Sequence, residues 1–381
     1  MTGWRVRRAW PGEDRIDLEL LGPHGDLVAA VARDDRVHLV GPDDPRLPGL
    51  ATSLARPGTT LVVHRPGRRA VLRVVDGDGR SSYVKVARPR AVRRAVHAHR
   101  TVGSLLWGHP GAPAVPVVEA VGAGQTWFRV SGLPGRSLLD LARDPAVPAR
   151  TLDAAGVSAG RCLAALATTA PSGLEPWDAE DEVRALDGWL DRLQRHDPLG
   201  RLTTDAIRRL AGSAAEALLA LPARPAVTAH RDLHDKQLLV VTADWCRDTT
   251  PVTSGGCSDP TPATSGTAGL IDLDTAAAAD PALDEANLLA HLDLRVWQGA
   301  VGPERARRIA DALVRTRQQP APVEAERVAA HRRVVRARLA ALYCFRPGAR
   351  AVVPLLLGAP EVVAPGVGRD HRVAPVPLGA R

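Results

Sequence analysis

Lysine is almost missing from this chain. Of its 50 lysine and arginine residues only Lys85 and Lys236 are lysine, asparagine occurs once (Asn287), methionine once, and aromatics make up 3% of 381 residues. The shortage of aromatics, with basic residues scattered rather than bunched, leaves neither the stacking platforms nor the continuous stripe of a nucleic-acid surface. The net charge of +8 is therefore read as an arginine-rich composition, and no nucleic-acid partner is expected. The four cysteines, Cys162, Cys246, Cys257 and Cys344, form no CxxC pair and no His/Cys ladder, which argues against structural zinc. Cys246 and Cys257 lie close enough in sequence to meet within one loop, but free thiols are the expectation in a cytoplasmic protein. No apolar run is long enough to cross a bilayer, and the opening MTGWRVRRAW has no secretory apolar stretch. A cytoplasmic location without membrane contact follows as the expectation.

Because arginine is the default cation here, a retained lysine points to a need for a compact ammonium. Lys85 falls in SSYVKVA, the third of three alternating runs joined by a Pro-Gly turn and a DGDG turn, so it is placed in the middle of a strand of an antiparallel sheet. Before that sheet, residues 14–40 read as short strands. After it, AVRRAVHAHRTVGSLLWG has helical spacing, VPVVEAVGAGQTWFRVSG returns to strand, and Leu138 to Leu221 reads as helices broken at proline and polar stretches. The second lysine lies in HRDLHDKQ, residues 230–237, which packs two histidines, two aspartates, an arginine and a lysine between apolar runs. Buried ionisable groups at this density are paired, metal-bound or used in chemistry. A stretch rich in Thr, Ser, Pro and Gly over 242–269 reads as a surface loop, LIDLD as a short buried strand ending in carboxylates, and helices resume at Leu283.

A strand lysine, a His-Arg-Asp-x4-Gln run and a strand ending in Asp-x-Asp form the set that phosphoryl transfer from Mg·ATP requires: a cation for the phosphates, hard oxygens for magnesium, and a carboxylate for the attacking hydroxyl. In YVKV, FRVSGLPGRSL, HRDLHDKQLLV and LIDLDTAAAADPALDEANLLAHL, in that order, the chain resembles the aminoglycoside phosphotransferase and choline kinase-like branch of the protein kinase-like fold. The resemblance covers about residues 58 to 350. It implies an α+β, two-lobed fold with an antiparallel β N-lobe and a mainly helical C-lobe, preceded by a small β-rich extension similar to the cap of maltose kinases. The implied divisions are the extension over 1–57, the nucleotide-binding N-lobe over 58–132, the C-lobe over 133–358 and a flexible tail over 359–381.

The implied cofactors are ATP and Mg2+, and the implied partner is a small molecule bearing a hydroxyl: an aminoglycoside, a sugar, an amino alcohol or a nucleoside-like antibiotic. Carried over residue by residue, Asp232 is the catalytic base and His230 braces the catalytic loop beside it. Asp272 is the principal magnesium ligand, with Gln237 where the family has asparagine, and Asp274 either binds a second metal or accepts backbone hydrogen bonds. Lys85 holds the phosphates, the hairpin HRPGRRA covers them with Gly67 while Arg68 and Arg69 supply charge, and the segment from Phe128 through Val130 to Gly132 is the hinge that grips adenine by its backbone. His234 matches the family's usual histidine, and Asp284 resembles the helix aspartate that ties the catalytic loop down.

Two departures stand out. No Asp or Glu occurs between Lys85 and Glu119, so the usual helix carboxylate for the strand lysine is missing and Lys85 is held by Asp272 or by the phosphates, or is not poised; the phosphate hairpin has a single glycine. These features and Gln237 keep open a second class, a pseudokinase acting as a nucleotide-binding or regulatory module. For the acidic run EPWDAEDE, residues 175–182, a solvated helix start is favoured over a site for a cationic acceptor. Trp177, Trp189 and Trp297 are read as packing residues before cleft residues. Oligomeric state is not legible.

Overall fold

The computed structural model describes residues 3–109, 111–241, 268–318 and 322–363. The first four strands, β1 (Arg5–Pro11), β2 (Ile16–Leu21), β3 (Leu27–Arg33) and β4 (Arg36–Val40), form an antiparallel meander in chain order. After a one-turn helix α1 (Leu50–Leu54) comes a five-stranded antiparallel sheet of β5 (Thr59–Arg65), β6 (Arg69–Val75), β7 (Ser81–Ala87), β8 (Val118–Val121) and β9 (Trp127–Ser131), ordered β5-β6-β7-β9-β8. Helix α2 (Pro89–Leu106) connects β7 to β8. The alternation in β7 has a direct physical outcome. Val84 and Val86 face a buried cluster with Leu47, Leu50, Ala70 and Leu72, which turns Tyr83 and Lys85 to the opposite face of the pleat.

The rest is mainly helical: α3 (Leu138–Arg143), α4 (Ala149–Thr168), α5 (Ala179–His196), α6 (Arg201–Leu219), α7 (Leu283–Trp297), α8 (Pro303–Gln318), α9 (Ala325–Tyr343) and α10 (Val353–Gly358). Helices α4 and α8 approach so closely that a Cβ at Gly156 or Gly160 would lie 2.5 Å from the Ile309 or Leu313 carbonyl. Their i, i+4 spacing makes one small-residue strip for the crossing. Two three-stranded sheets of short segments sit at one end of this layer. One joins β10 (Arg136–Ser137), β13 (Leu238–Val240) and β14 (Ala268–Leu270); the other joins β11 (Pro176–Trp177), β15 (Ala277–Ala279) and β12 (Val227–Ala229).

The N-terminal meander is tied into the rest on two sides. Ala9, Leu18, Leu20 and Ala30 share a core with Leu193, Ile207, Leu339 and Phe345 of the helical layer. Three carboxylates reach the β5–β6 hairpin: Glu19 accepts from the His64 amide at 3.1 Å, Asp44 from the Gly67 amide at 2.6 Å, and Asp17 pairs with Arg65 at 3.5 Å. Because the Gly67 amide and the Asp44 carboxylate are both buried, removing the acceptor leaves an unsatisfied donor. Asp44→Ala is expected to lower stability by about 1–3 kcal/mol, read from urea unfolding; an unchanged midpoint would show that the amide finds another acceptor.

Two expectations about the loop and the tail change. Residues 242–267 lie outside the described residues, and with them Cys246, Cys257 and any bond between them; Ala268 and Gly269, read as the end of that loop, are strand β14. Cys162 and Cys344 are free and buried. The tail expected from 359 is held at its start, since the amides of Val362 and Val363 both donate to Asp293 Oδ1 at 2.9 Å and Val363 is buried. Residues 364–381 lie outside the described residues. No helix among the described residues is long and apolar enough to cross a membrane.

Candidate active site

Strand β14 ends at Leu270, and the backbone then kinks: Asp272 has φ +67, followed by a single 3-10 turn over Leu273–Thr275. A non-glycine residue in the left-handed region costs roughly 1–3 kcal/mol and persists only where its surroundings hold it. Here the turn brings both carboxylates of Asp-Leu-Asp to Lys85. Lys85 Nζ lies 2.5 Å from Asp272 Oδ1 and 2.7 Å from Asp274 Oδ1. Burial opposes all three charges, yet the cluster is held ionised. The two carboxylates, Asp274 foremost, raise the lysine above its usual range, and Lys85 holds Asp272 and Asp274 below the usual carboxylate range.

A fourth group completes the cluster, and it was not among the residues singled out in the sequence. His99, on the inner face of α2, places Nε2 3.0 Å from Asp274 Oδ1. In the sequence it is one of two histidines within a helical run, and only the turn of α2 distinguishes exposed His97 from buried His99. Helix α2 carries no carboxylate, and its link to the lysine site runs through this imidazole and Asp274.

The HRDLHDKQ segment is joined to the same kink by the backbone. His230 is fully buried; its Nε2 lies 2.9 Å from the Ile271 carbonyl and donates to it, and its Nδ1 accepts from the Asp232 amide at 3.3 Å. Asp284 on α7 accepts from the His230 and Arg231 amides at 2.7 and 2.8 Å, holding Arg231 at φ +71. Between these anchors the Asp232 side chain is exposed. The Ile271 amide donates to the Gln237 carbonyl at 3.0 Å, while Gln237 Oε1 accepts from the His234 amide at 3.0 Å. One lone pair of that amide oxygen is thus engaged. Below the loop, Asp235 is bound by Arg295 through two hydrogen bonds of 2.7 and 3.0 Å.

Under this loop the rings of His234 and His291 lie 5.0 Å apart. Burial, and next the neighbouring His234, pushes His291 down to about 3 from an ordinary 6.5, and burial lowers His234 as well. A histidine whose folded pKa is depressed contributes stability that is complete above its unfolded pKa and is lost as pH falls below it. The melting temperature is therefore expected to fall between pH 7 and pH 5, and His291→Gln to flatten that slope. A slope unchanged in the variant would place the titration elsewhere.

On the nucleotide side the structure gives the expected residues settings that the sequence did not show. Gly67, with φ +64, turns the hairpin inward, and its amide is bound to Asp44. Arg68 and Arg69 are both exposed at the turn, and of the two it is Arg69 whose charge acts on Asp272. Phe128 and Val130 lie within β9, paired with β7 on one side and β8 on the other, and their side chains are buried against Val92, Ala95 and Val96 of α2. A strand paired on both edges has no backbone groups to spare; the connection between the sheet and the helical layer begins only after Ser131. Phe128 serves the site from behind, with Lys85 Nζ 5.9 Å from its ring centre.

On the other side of Asp232, the Arg231 guanidinium stacks 3.3 Å above the Trp177 ring, and Trp177 Nε1 donates to Glu182 at 2.6 Å. Burial lowers Arg231 to about 10. The acids of EPWDAEDE are largely occupied: Asp178 and Asp181 form a reciprocal capping box at the start of α5, the structural role favoured for them. Trp189 and Trp297 pack with the shared core of the meander and helices.

Two-lobed geometry, a strand lysine paired with the Asp-x-Asp kink and a braced HRD loop define a phosphotransferase of the protein kinase-like fold. Residues 61–246 match the model of the phosphotransferase enzyme family, a match in line with the resemblance carried by the motifs. No curated protein matches it. Among solved structures, amicoumacin kinase hAmiN in complex with AMP-PNP, Ca2+ and Ami superposes with a TM-score of 0.53 at 14% identity, covering 81% of this chain and 90% of that one. A thermostable mutant of aminoglycoside phosphotransferase APH(4)-Ia, in ternary complex with ADP and hygromycin B, gives 0.52 at 14% identity over 82% and 95%. The GDP and kanamycin complex of APH(2")-IIia gives 0.51 at 14% over 77% and 86%. At these identities the likeness is one of fold.

Proposed function

We propose that the protein transfers the γ-phosphoryl group of ATP, bound with Mg2+, to a hydroxyl of a small molecule. The observation that carries this is the meeting of Lys85, Asp272 and Asp274 at a kink hydrogen-bonded to the HRD loop. The donor set fits magnesium in kind. The ion prefers one or two carboxylates completed by phosphate oxygens and waters, and among the described residues no cluster of three or more His, Cys, Asp or Glu side chains offers a protein-only cage. Asp272 and Asp274 would hold the ion, with Gln237 through its remaining lone pair. When bound, the metal supplies charge neutralisation at the phosphates.

The remaining roles belong to the chain. Lys85, already ionised, exchanges a carboxylate for a phosphate oxygen. Asp232, exposed on a backbone fixed by Asp284 and His230, orients the acceptor hydroxyl and takes its proton. His230, fully buried, acts only by bracing that loop. Trp177 and Arg231 form a flat wall beside the base against which a ring-shaped acceptor can lie. The solved structures named above hold nucleotides with Ami, hygromycin B or kanamycin, so molecules of these kinds are the first acceptors to try. Location in the cytoplasm is part of the same proposal.

A nucleotide-binding module without transfer is the second reading, favoured by the engaged Gln237 oxygen and the engaged Gly67 amide. Calorimetric titration of ATP with and without magnesium, followed by an acceptor screen, separates the two. Metal-dependent binding with turnover supports the enzyme; binding without turnover on any acceptor supports the module; no binding removes both.

A further inference from the structure

Helix α2 holds four arginines and two histidines but no carboxylate between Pro89 and Leu106, so nothing on it can pair with Lys85 as an acid would. What it does offer is His99, 2% exposed, whose Nε2 meets the same Asp274 oxygen that Lys85 meets. We infer that His99 is a positioning residue for phosphoryl transfer: it donates Nε2–H to Asp274 and holds that carboxylate in place when Lys85 turns to the nucleotide. This inference rests on the phosphotransferase reading of the site.

The tautomer follows from the partners. An ionised carboxylate only accepts, so the hydrogen must be on Nε2. The other ring nitrogen, Nδ1, is buried without a partner among the described residues, and a bare lone pair there is tolerated better than an orphaned N–H. The ring is not free to turn, because it stands edge-on to Phe128 at 5.7 Å and Phe128 is itself enclosed by α2 side chains.

The consequence for mechanism is a change of linkage. A helix acid paired to the strand lysine would fix the lysine and leave the Asp-x-Asp kink untethered to the helix. Here the helix grips the kink itself. Two donors share Asp274 Oδ1, and when Lys85 departs one of them remains. The helix, the sheet behind Phe128 and the carboxylate pair then move as one unit, with Lys85 as the mobile member.

The test uses His99→Gln, His99→Leu and His99→Glu in the full-length protein, with calorimetric titration of ATP at fixed magnesium and, separately, of ATP without metal. The glutamine amide reaches about where Nε2 lies and donates, so His99→Gln should bind Mg·ATP within about three-fold of wild type. Losing one charge-assisted hydrogen bond should weaken His99→Leu by about 10- to 100-fold. His99→Glu should be weakest of all, because its charge faces Asp274. Metal-free ATP binding should change much less in all three. Equal binding by His99→Leu and wild type, or improvement in His99→Glu, would overturn the inference, the latter by showing that the position serves Lys85. In the nucleotide-free protein, urea unfolding of His99→Leu, Asp274→Asn and the double variant should be non-additive; additive effects overturn it whatever the nucleotide data show. Failure of wild type to bind Mg·ATP instead removes the phosphotransferase reading, and the unfolding cycle still decides whether the His99–Asp274 link exists.

Discussion

Asp232→Asn is expected to reduce phosphoryl transfer by about 10²- to 10⁴-fold while leaving Mg·ATP affinity within about three-fold of wild type. The separation follows from where Asp232 stands. Its amide is bound to His230 Nδ1 and the two amides before it to Asp284, so the backbone is fixed without help from the Asp232 carboxylate. That carboxylate is exposed and takes no part in the Lys85 cluster. Replacing it removes the group that orients the acceptor and leaves the phosphate and metal groups intact. Asp272→Asn should behave in the opposite way. It removes a charge that Lys85 and the metal both use, so metal-dependent binding itself is lost. The measurement is a coupled turnover assay on whichever acceptor the screen finds, paired with calorimetry on both variants. If Asp232→Asn loses nucleotide binding as well, the aspartate is part of the nucleotide site and another group must take the proton.

How much of this was visible in the sequence depends on whether a residue's neighbours are local. Lys85 was placed on a strand by the alternation of SSYVKVA, and the alternation sufficed because Val84 and Val86 need the core on the other face. The HRD loop and the Asp-x-Asp pair were legible as motifs, since their spacing records the chemistry they share. For Gly67 the partner was not legible, for a tertiary reason. Its amide answers to Asp44, 23 residues earlier, in a loop of the N-terminal region, and no pattern within the hairpin records that. Phe128 and Val130, at the start of the expected hinge segment, alternate as a paired strand does and lie within β9, and the connection begins after Ser131 at the far end of that segment. His99 was passed over because the missing carboxylate on α2 turned attention to Asp272 and the phosphates as partners of Lys85, away from the helix. The helix kept an interaction and changed its partner, which only the distance to Asp274 reveals.

The same dependence on context governs the second large effect, at the base of the catalytic loop. Arg295→Ala is expected to destabilise the protein by about 3–5 kcal/mol. Asp235 is fully buried, and Arg295 on α7 supplies the two hydrogen bonds that satisfy it. Burial alone would push the Asp235 carboxyl upward, and Arg295 reverses this, holding it below the usual range. A depressed carboxylate contributes stability above its unfolded pKa and loses it as pH falls, so at neutral pH the contribution is present in full. Truncating the arginine leaves a charge with nowhere to go, directly beneath Asp232 and His234. Arg308 and Asp153 make a comparison at a similar distance, 2.9 Å, with side chains 38% and 43% exposed. Water and salt already serve those charges, so Arg308→Ala should cost no more than about 1 kcal/mol. Urea unfolding of the two variants at pH 7 reads the difference. Equal losses would mean that the buried pair is reached by solvent and that the catalytic loop takes its shape from Asp284 and His230 alone.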